Sequence, residues 1–274
     1  MNSRKVRFSR AAFSESGAQR DDNEDAAYAG PYLLAVADGF ASAFNERMAS
    51  AVAIEALRAL DSQASGKDIT ALKRGVNNAH DWLVALGKYD KDWAPCGTTL
   101  TSVLLSEDAI SVSHIGDSRA YLFRNGRLSL LTQDHTLANK LISEGEMTAE
   151  EAEKGGYDRM LMRVLDCSRA LEADFFQLEA QLGDRYLLCT DGVWKVLSFD
   201  RLELLLAQGS RPGEVARELA EQALEKEYFD NISCVVADIV LSDESEVPET
   251  PIVAGATPPI AELDELAALG RITR

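Results

Sequence analysis

Short apolar runs that end on an acid recur along this chain, and between them lie stretches with apolar residues at every third or fourth position. Leu33-Leu34-Ala35-Val36-Ala37 reads as a buried strand and runs directly into Asp38-Gly39. Arg185-Tyr186-Leu187-Leu188-Cys189-Thr190 runs in the same way into Asp191-Gly192, and His114-Ile115-Gly116 leads into Asp117. One such unit alone is most often a strand followed by a turn; its repetition favours a shared acidic site. Residues 6–14, 98–105, 109–115, 120–123, 127–131, 174–179 and 232–240 also read as strands. Asn125-Gly126 predicts a type I′ hairpin turn, which needs positive φ at both positions. Gly39 is expected to let the backbone turn sharply after Asp38.

Helical spacing marks 45–60, with Met48, Val52, Ala56, Leu57 and Leu60, and 68–86, with Leu72, Val76, Ala79 and Leu83. Residues 199–207 and 212–226 are also expected to be helical, the second with Pro212 at its first turn. The segment 134–169 is polar and Glu-rich and interrupts the strands. Two short helices are expected within it, at 136–144 and at 148–154, the latter opened by a Thr148-x-x-Glu151 capping box. It reads as a mobile subdomain beside the site. Residues 15–25 form a polar loop dense in carboxylates.

After Leu241 the composition changes, which divides the chain into a domain over 1–241 and a tail over 242–274. Residues 242–259 contain four of the seven prolines and read as a disordered linker. Residues 260–269 read as a short amphipathic helix with Ile260, Leu263, Leu266 and Leu269 on one face. Such a peptide can dock on its own domain, bind a partner or do neither.

Composition narrows the function. A length of 274 residues and 46% hydrophobic content suffice for a substantial core. The net charge of −17 argues against a nucleic-acid binder, which needs a basic face, and against docking to anionic membranes. Cys96, Cys167, Cys189 and Cys234 show no CxxC spacing, and two lie in apolar runs, so reduced, inert thiols and a cytoplasmic location are expected. The basic N-terminus is not followed by the apolar stretch of a signal peptide, and no run is long enough to span a bilayer. No cysteine is followed six positions on by arginine, which excludes a Cys-x5-Arg phosphate loop, and no GxxxxGK[ST] occurs.

The acids at strand ends and in turns are Glu24, Asp25, Asp38, Asp117, Asp191 and Asp230. Oxygen ligands suit Mg²⁺ or Mn²⁺ rather than zinc, and the three histidines (His80, His114 and His135) cannot build a His-rich dinuclear site. His80 and His114 read as ordinary helix and strand residues. Two hard cations about 4 Å apart can hold a water that is nucleophilic near neutral pH and can neutralise a phosphoryl group. Arg20 can offer phosphate a bidentate fork, or can simply neutralise Asp21, Asp22 and Glu24 in a surface loop.

Gly17-Ala18-Gln19-Arg20-Asp21-Asp22-Asn23-Glu24-Asp25 resembles the GxxRxxNED signature of the metal-dependent protein phosphatases of type 2C. Further blocks stand in the order of that family: Val36-Ala37-Asp38-Gly39, Gly97-Thr98-Thr99, Gly116-Asp117-Ser118-Arg119-Ala120, Thr132-Gln133-Asp134-His135, Cys189-Thr190-Asp191-Gly192 and Asp230-Asn231-Ile232-Ser233. The resemblance implies an α+β fold, a four-layer α-β-β-α sandwich of two antiparallel sheets flanked by helices, with a dinuclear site at one end of the sheets. It implies hydrolysis of phosphoserine and phosphothreonine in proteins by a metal-bridged water, without a covalent intermediate. By motif, Asp38 bridges two Mn²⁺ or Mg²⁺ ions, Asp191 and Asp230 complete one, and the Gly39 carbonyl binds the other, with Glu24 acting through water. Asp25 hydrogen-bonds metal waters, Arg20 binds substrate phosphate, and Asp117 with Asp191 forms a weaker third metal site. Residues 134–169 correspond to the substrate-facing flap. The implied partners are phosphorylated proteins, a cognate Ser/Thr kinase among them, and the implied state is a monomer.

Two departures stand out. The Met-Gly-Gly or His-Gly-Gly that commonly follows the Asp-Gly of this family is Phe40-Ala41-Ser42 here, and the flap reads Arg163-Val164-Leu165-Asp166 in place of Arg-Ala-Leu-Gly. The first motivates a rival expectation, a catalytically weak phosphatase-fold module that regulates by binding.

Overall fold

The strand β3 (Leu33–Ala41) shows how the architecture follows from the sequence. Its apolar run has no polar face because both of its faces are covered. Leu33, Ala35 and Ala37 point into a core beneath two helices, α1 (Glu46–Ser62) and α2 (Ile69–Tyr89). Leu34 and Val36 point the other way, into a core between two sheets. The computed structural model describes residues 5–17, 20–41, 46–62, 68–89, 96–167, 170–226, 230–242 and 250–273. The expected motif positions Ala18, Gln19 and Ser42 and the start of the first helix at Asn45 lie outside them.

The first sheet has the order β1 (Val6–Glu15), β12 (Ile232–Leu241), β11 (Arg185–Cys189), β7 (Arg119–Arg124) and β8 (Arg127–Leu130). The second runs β10 (Asp174–Glu179), β6 (Ala109–Ile115), β5 (Leu100–Leu105), β3, β2 (Asp25–Ala29) and β13 (Ile252–Gly255). Two short strands, β4 (Cys96–Thr98) and β9 (Leu165–Asp166), continue from the end of β3. All pairings are antiparallel.

Strands β11 and β12 alternate as β3 does. Leu187, Cys189, Cys234 and Val236 face the helices α5 (Asp191–Trp194), α6 (Phe199–Leu206) and α7 (Pro212–Leu224), while Leu188, Val235 and Ala237 face the other sheet. The result is the expected α-β-β-α sandwich. Asn125 and Gly126 take positive φ, as the hairpin requires. In the Glu-rich segment after β8, α3 (Leu137–Ser143) and α4 (Ala149–Gly155) form, and Thr148 with Glu151 makes the reciprocal capping box. Among the described residues no helix is long and apolar enough to cross a membrane.

Two expectations are corrected, and one strand was not foreseen. Gly39 does not turn the chain, because β4 takes over as partner where β5 ends (Gly39↔Thr98, Phe40↔Gly97), so the backbone stays extended. Residues 26–29, following the polar loop, form β2, which the alanine-rich sequence did not signal. The stretch expected to be a disordered linker contains β13 in its described part, paired with β2 from Ile252↔Ala29 to Gly255↔Ala26. An open sheet edge offers backbone partners to any extended segment, whatever its composition. The last helix, α8 (Ile260–Ala268), docks on its own domain, with Leu263 and Leu266 buried in the core under α1 and α2, and Ile260 and Leu269 left exposed.

Candidate active site

The two sheets bring their acids to one end of the sandwich. Asp25, first residue of β2, stands opposite Asp38 in the β2–β3 register. Asp38 ends the doubly covered part of β3 and is fixed through its backbone. Its N–H donates to Thr99 Oγ1 (3.0 Å), and its carbonyl accepts from the Thr98 hydroxyl (3.0 Å) and the Thr99 N–H (2.9 Å). The Thr99 hydroxyl meets that of Ser118 at 2.7 Å, which ties the Gly97-Thr98-Thr99 block to the Asp117 turn. Gly116 makes that turn with φ of +107°, and a Cβ there would lie 2.5 Å from the Thr99 side chain.

From the other sheet, Asp191 opens α5 directly after β11, and Asp230 precedes β12. These two segments touch so closely at Gly192 that a Cβ there would fall 2.0 Å from the Asn231 carbonyl oxygen. Asn231 also joins the sheets. Its Oδ1 accepts from the Glu24 N–H (2.8 Å), and its Nδ2 donates to the Asp22 carbonyl (2.9 Å). Asn23 donates to Ser14 Oγ (2.8 Å) and accepts from the Asp25 N–H (3.1 Å). The acids alone did not single out these asparagines as organisers. Their signal was position, each directly beside a candidate ligand.

Burial, and after it crowding, governs the electrostatics. Burial pushes the Asp38 carboxyl well above the ordinary range, and the nearby Asp25, Asp191, Asp117 and Asp230 push it further. Asp25 is raised to about 7, mainly by burial, against the hydrogen bond that the Thr190 hydroxyl donates to its Oδ2 at 2.7 Å. Asp117 is also raised to about 7, by burial and then by Asp191, and Lys195 opposes the shift. Asp230 is raised by burial and Asp191, against Arg20. Four carboxyls whose ionisation is disfavoured by burial and then by their acidic neighbours call for positive charge.

Part of that charge is internal. Arg20 donates to Asp230 Oδ1 at 2.8 Å and lies 3.6 Å from Glu24, so it faces the cluster rather than a separate patch of surface. Lys195 Nζ lies 2.6 Å from Asp191 Oδ2. With these cations in place, no group of three His, Cys, Asp or Glu side chains among the described residues is arranged to hold a metal ion as it stands. Yet Asp25 Oδ1 and Asp191 Oδ1 are buried without a hydrogen-bond partner. Orphaned anionic oxygens in an all-oxygen donor set fit a hard divalent cation, so the residues present suit Mn²⁺ or Mg²⁺.

Phe40 is 39% exposed, and its ring lies against Gly97, where a Cβ would come within 2.6 Å of Cζ. His114 is buried against His135, 4.7 Å between ring centroids, a packed role as expected. The Glu-rich segment is tied beside the Asp117 turn through Arg119, whose guanidinium clamps Asp134 at 2.9 and 2.7 Å. A groove of about 1590 Å³ on another face, along Arg201, Arg211 and Glu221, contains none of these acids.

A sandwich that gathers carboxylates from both sheets at one buried end has the donor chemistry of a hard-metal-dependent enzyme. This chain belongs to the protein phosphatase 2C family, which it matches over residues 13–227. It is 39% identical over 247 residues to the serine/threonine protein phosphatase PstP of Mycobacterium tuberculosis, which covers 90% of this chain and 47% of that protein. The chain thus spans about half the length of that relative. The serine/threonine phosphatase stp of Listeria welshimeri is 26% identical over 211 residues, 75% of this chain and 84% of that protein. Among solved structures, the catalytic domain of PstP in complex with two manganese ions superposes with a TM-score of 0.80 at 37% identity, covering 86% of this chain and 100% of that one.

Proposed function

We propose that this chain is a Mn²⁺- or Mg²⁺-dependent phosphatase that removes phosphate from serine and threonine in proteins. One observation carries the reading: carboxylates from both sheets converge in a buried cluster, where burial and then the neighbouring acids raise the pKa of Asp38, and two of the cluster's buried oxygens lack partners. Asp38, which faces the other four, would be the central ligand. Asp191 and Asp230 would help to hold one ion, the Gly39 carbonyl and Glu24 would serve the second, and Asp25 would orient water. The bound ions supply a water that is nucleophilic near neutral pH and neutralise charge on the phosphoryl group.

Arg20, which holds Asp230 at 2.8 Å, would offer its fork to substrate phosphate. The substrates are phosphorylated proteins, a Ser/Thr kinase and its targets among them, met by a cytoplasmic monomer. The free thiols of Cys96, Cys189 and Cys234, all buried, suit a reducing compartment.

The test is hydrolysis of p-nitrophenyl phosphate and of a phosphothreonine peptide with Mn²⁺, Mg²⁺ or EDTA, for wild type beside Asp38→Asn. Activity that needs metal and vanishes in the variant is expected. A wild type that binds Mn²⁺ yet turns over neither substrate would overturn the reading in favour of a binding module disabled at Phe40.

A further inference from the structure

Lys195 received no role from the motifs, yet the structure places it at the centre of one corner of the site. It caps the short α5 helix, one turn beyond Asp191, with its ammonium 2.6 Å from Asp191 Oδ2 and 3.9 Å from Asp117 Oδ2. The Lys195 side chain is 12% exposed, and both aspartates are buried, so water screens little of this contact.

The surroundings hold it there. Trp194 Nε1 donates to the Asp117 backbone carbonyl at 3.0 Å, which fastens α5 to the Asp117 turn. The Trp194 ring carries the Arg119 guanidinium 3.4 Å from its centroid and lies 5.3 Å from Lys195 Nζ. Arg119 is held in turn by Asp134. Asp117, Asp191, Trp194 and Lys195 therefore form one braced unit.

The two oxygens of Asp191 are treated differently. Oδ2 is bound by Lys195, whereas Oδ1 is buried with no partner. An ammonium that grips one oxygen fixes the carboxylate plane and leaves the other oxygen for the cluster. The same ammonium repels a divalent ion from the space between Asp117 and Asp191.

We propose that Lys195 is a built-in cation for the Asp117–Asp191 pair, a positioning residue that stands in for a third divalent ion, so that this chain loads two ions rather than three. The inference rests on the two-ion reading above and departs from the third site that the sequence resemblance assigns to these aspartates.

Counting bound Mn²⁺ tests it, by calorimetry and by the loss of the free-ion electron paramagnetic resonance signal, on the full chain. Wild type and Lys195→Arg, which keeps the charge, are expected to bind two ions. Lys195→Ala is expected to gain a third, weaker one, which Lys195→Ala/Asp117→Asn loses again. Asp117→Asn alone is expected to keep two. A third ion in wild type, no gain in Lys195→Ala, or a loss of one ion in Asp117→Asn would overturn the proposal. A wild type that binds no Mn²⁺ at all would strike the phosphatase reading itself, and this inference with it.

Discussion

Each sheet contributes acids to the site, and the two contributions are neutralised differently. On the five-stranded side, Asp191 and Asp230 are gripped by Lys195 and Arg20. On the other side, Asp25 is held by the Thr190 hydroxyl, and Asp38 faces four carboxylates that all raise its pKa. Residue type is the same; the neighbours differ. Asp191 and Asp230, each held by a cation, are pre-organised, while Asp25 and Asp38 supply the negative charge that an external ion answers. A chain with every acid internally paired would bind metal poorly, and one with none paired would strain its own fold.

Removing the central acid should break this contrast most completely. Asp38→Asn is expected to lower kcat by more than about 100-fold and to abolish tight Mn²⁺ binding, since even outer residues around metal ligands cost about 10–100-fold. Binding of two ions by this variant would refute the bridging role. Asp25→Asn comes next, with a loss of about 10–100-fold in kcat. The same change should raise the Tm of the metal-free protein near neutral pH, because it removes a buried charge that the Thr190 and Ser233 hydroxyls compensate only in part.

A smaller effect is expected on the paired side. Arg20→Ala should raise KM about 10-fold while kcat changes little, as loss of one charge-assisted phosphate contact predicts. Unchanged KM would confine Arg20 to its ion pairs with Asp230 and Glu24.

The mildest test is pH. Asp25 and Asp117 titrate near 7 in the fold, above the 3.8 of a free aspartate, so the folded state binds more protons than the unfolded one between those values. Stability of the metal-free protein should therefore be highest below about pH 4 as far as these groups go, fall as pH rises to about 7, and then level off. Saturating Mn²⁺ should flatten the slope by favouring the ionised carboxylates. A metal-free Tm that rises across this range would contradict the crowding of the acids.

How far the sequence reached depended on the range of the interaction. Strands such as β3 and β12 were readable because an apolar run is a local signal, and so were the Asn125-Gly126 turn and the Thr148–Glu151 capping box. The acids were readable because each follows or precedes such a run. The family signature then fixed their grouping, since its motifs are separated in sequence and no local rule joins Asp38 to Asp191.

Tertiary structure alone decided the remainder. Strand β13 exists because β2 offers a free edge, and its turn brings the Ala256 N–H onto the Asp25 carbonyl at 2.7 Å, a contact that no proline count foretells. Gly39 stays extended because β4 arrives beside it. Lys195 stood at helical spacing from Asp191 all along, but only the turn before β7 brings Asp117 within reach of the same ammonium. Periodicity records which face of an element is buried; which residue lies across from it depends on chain segments far away in sequence, and that is settled only by packing.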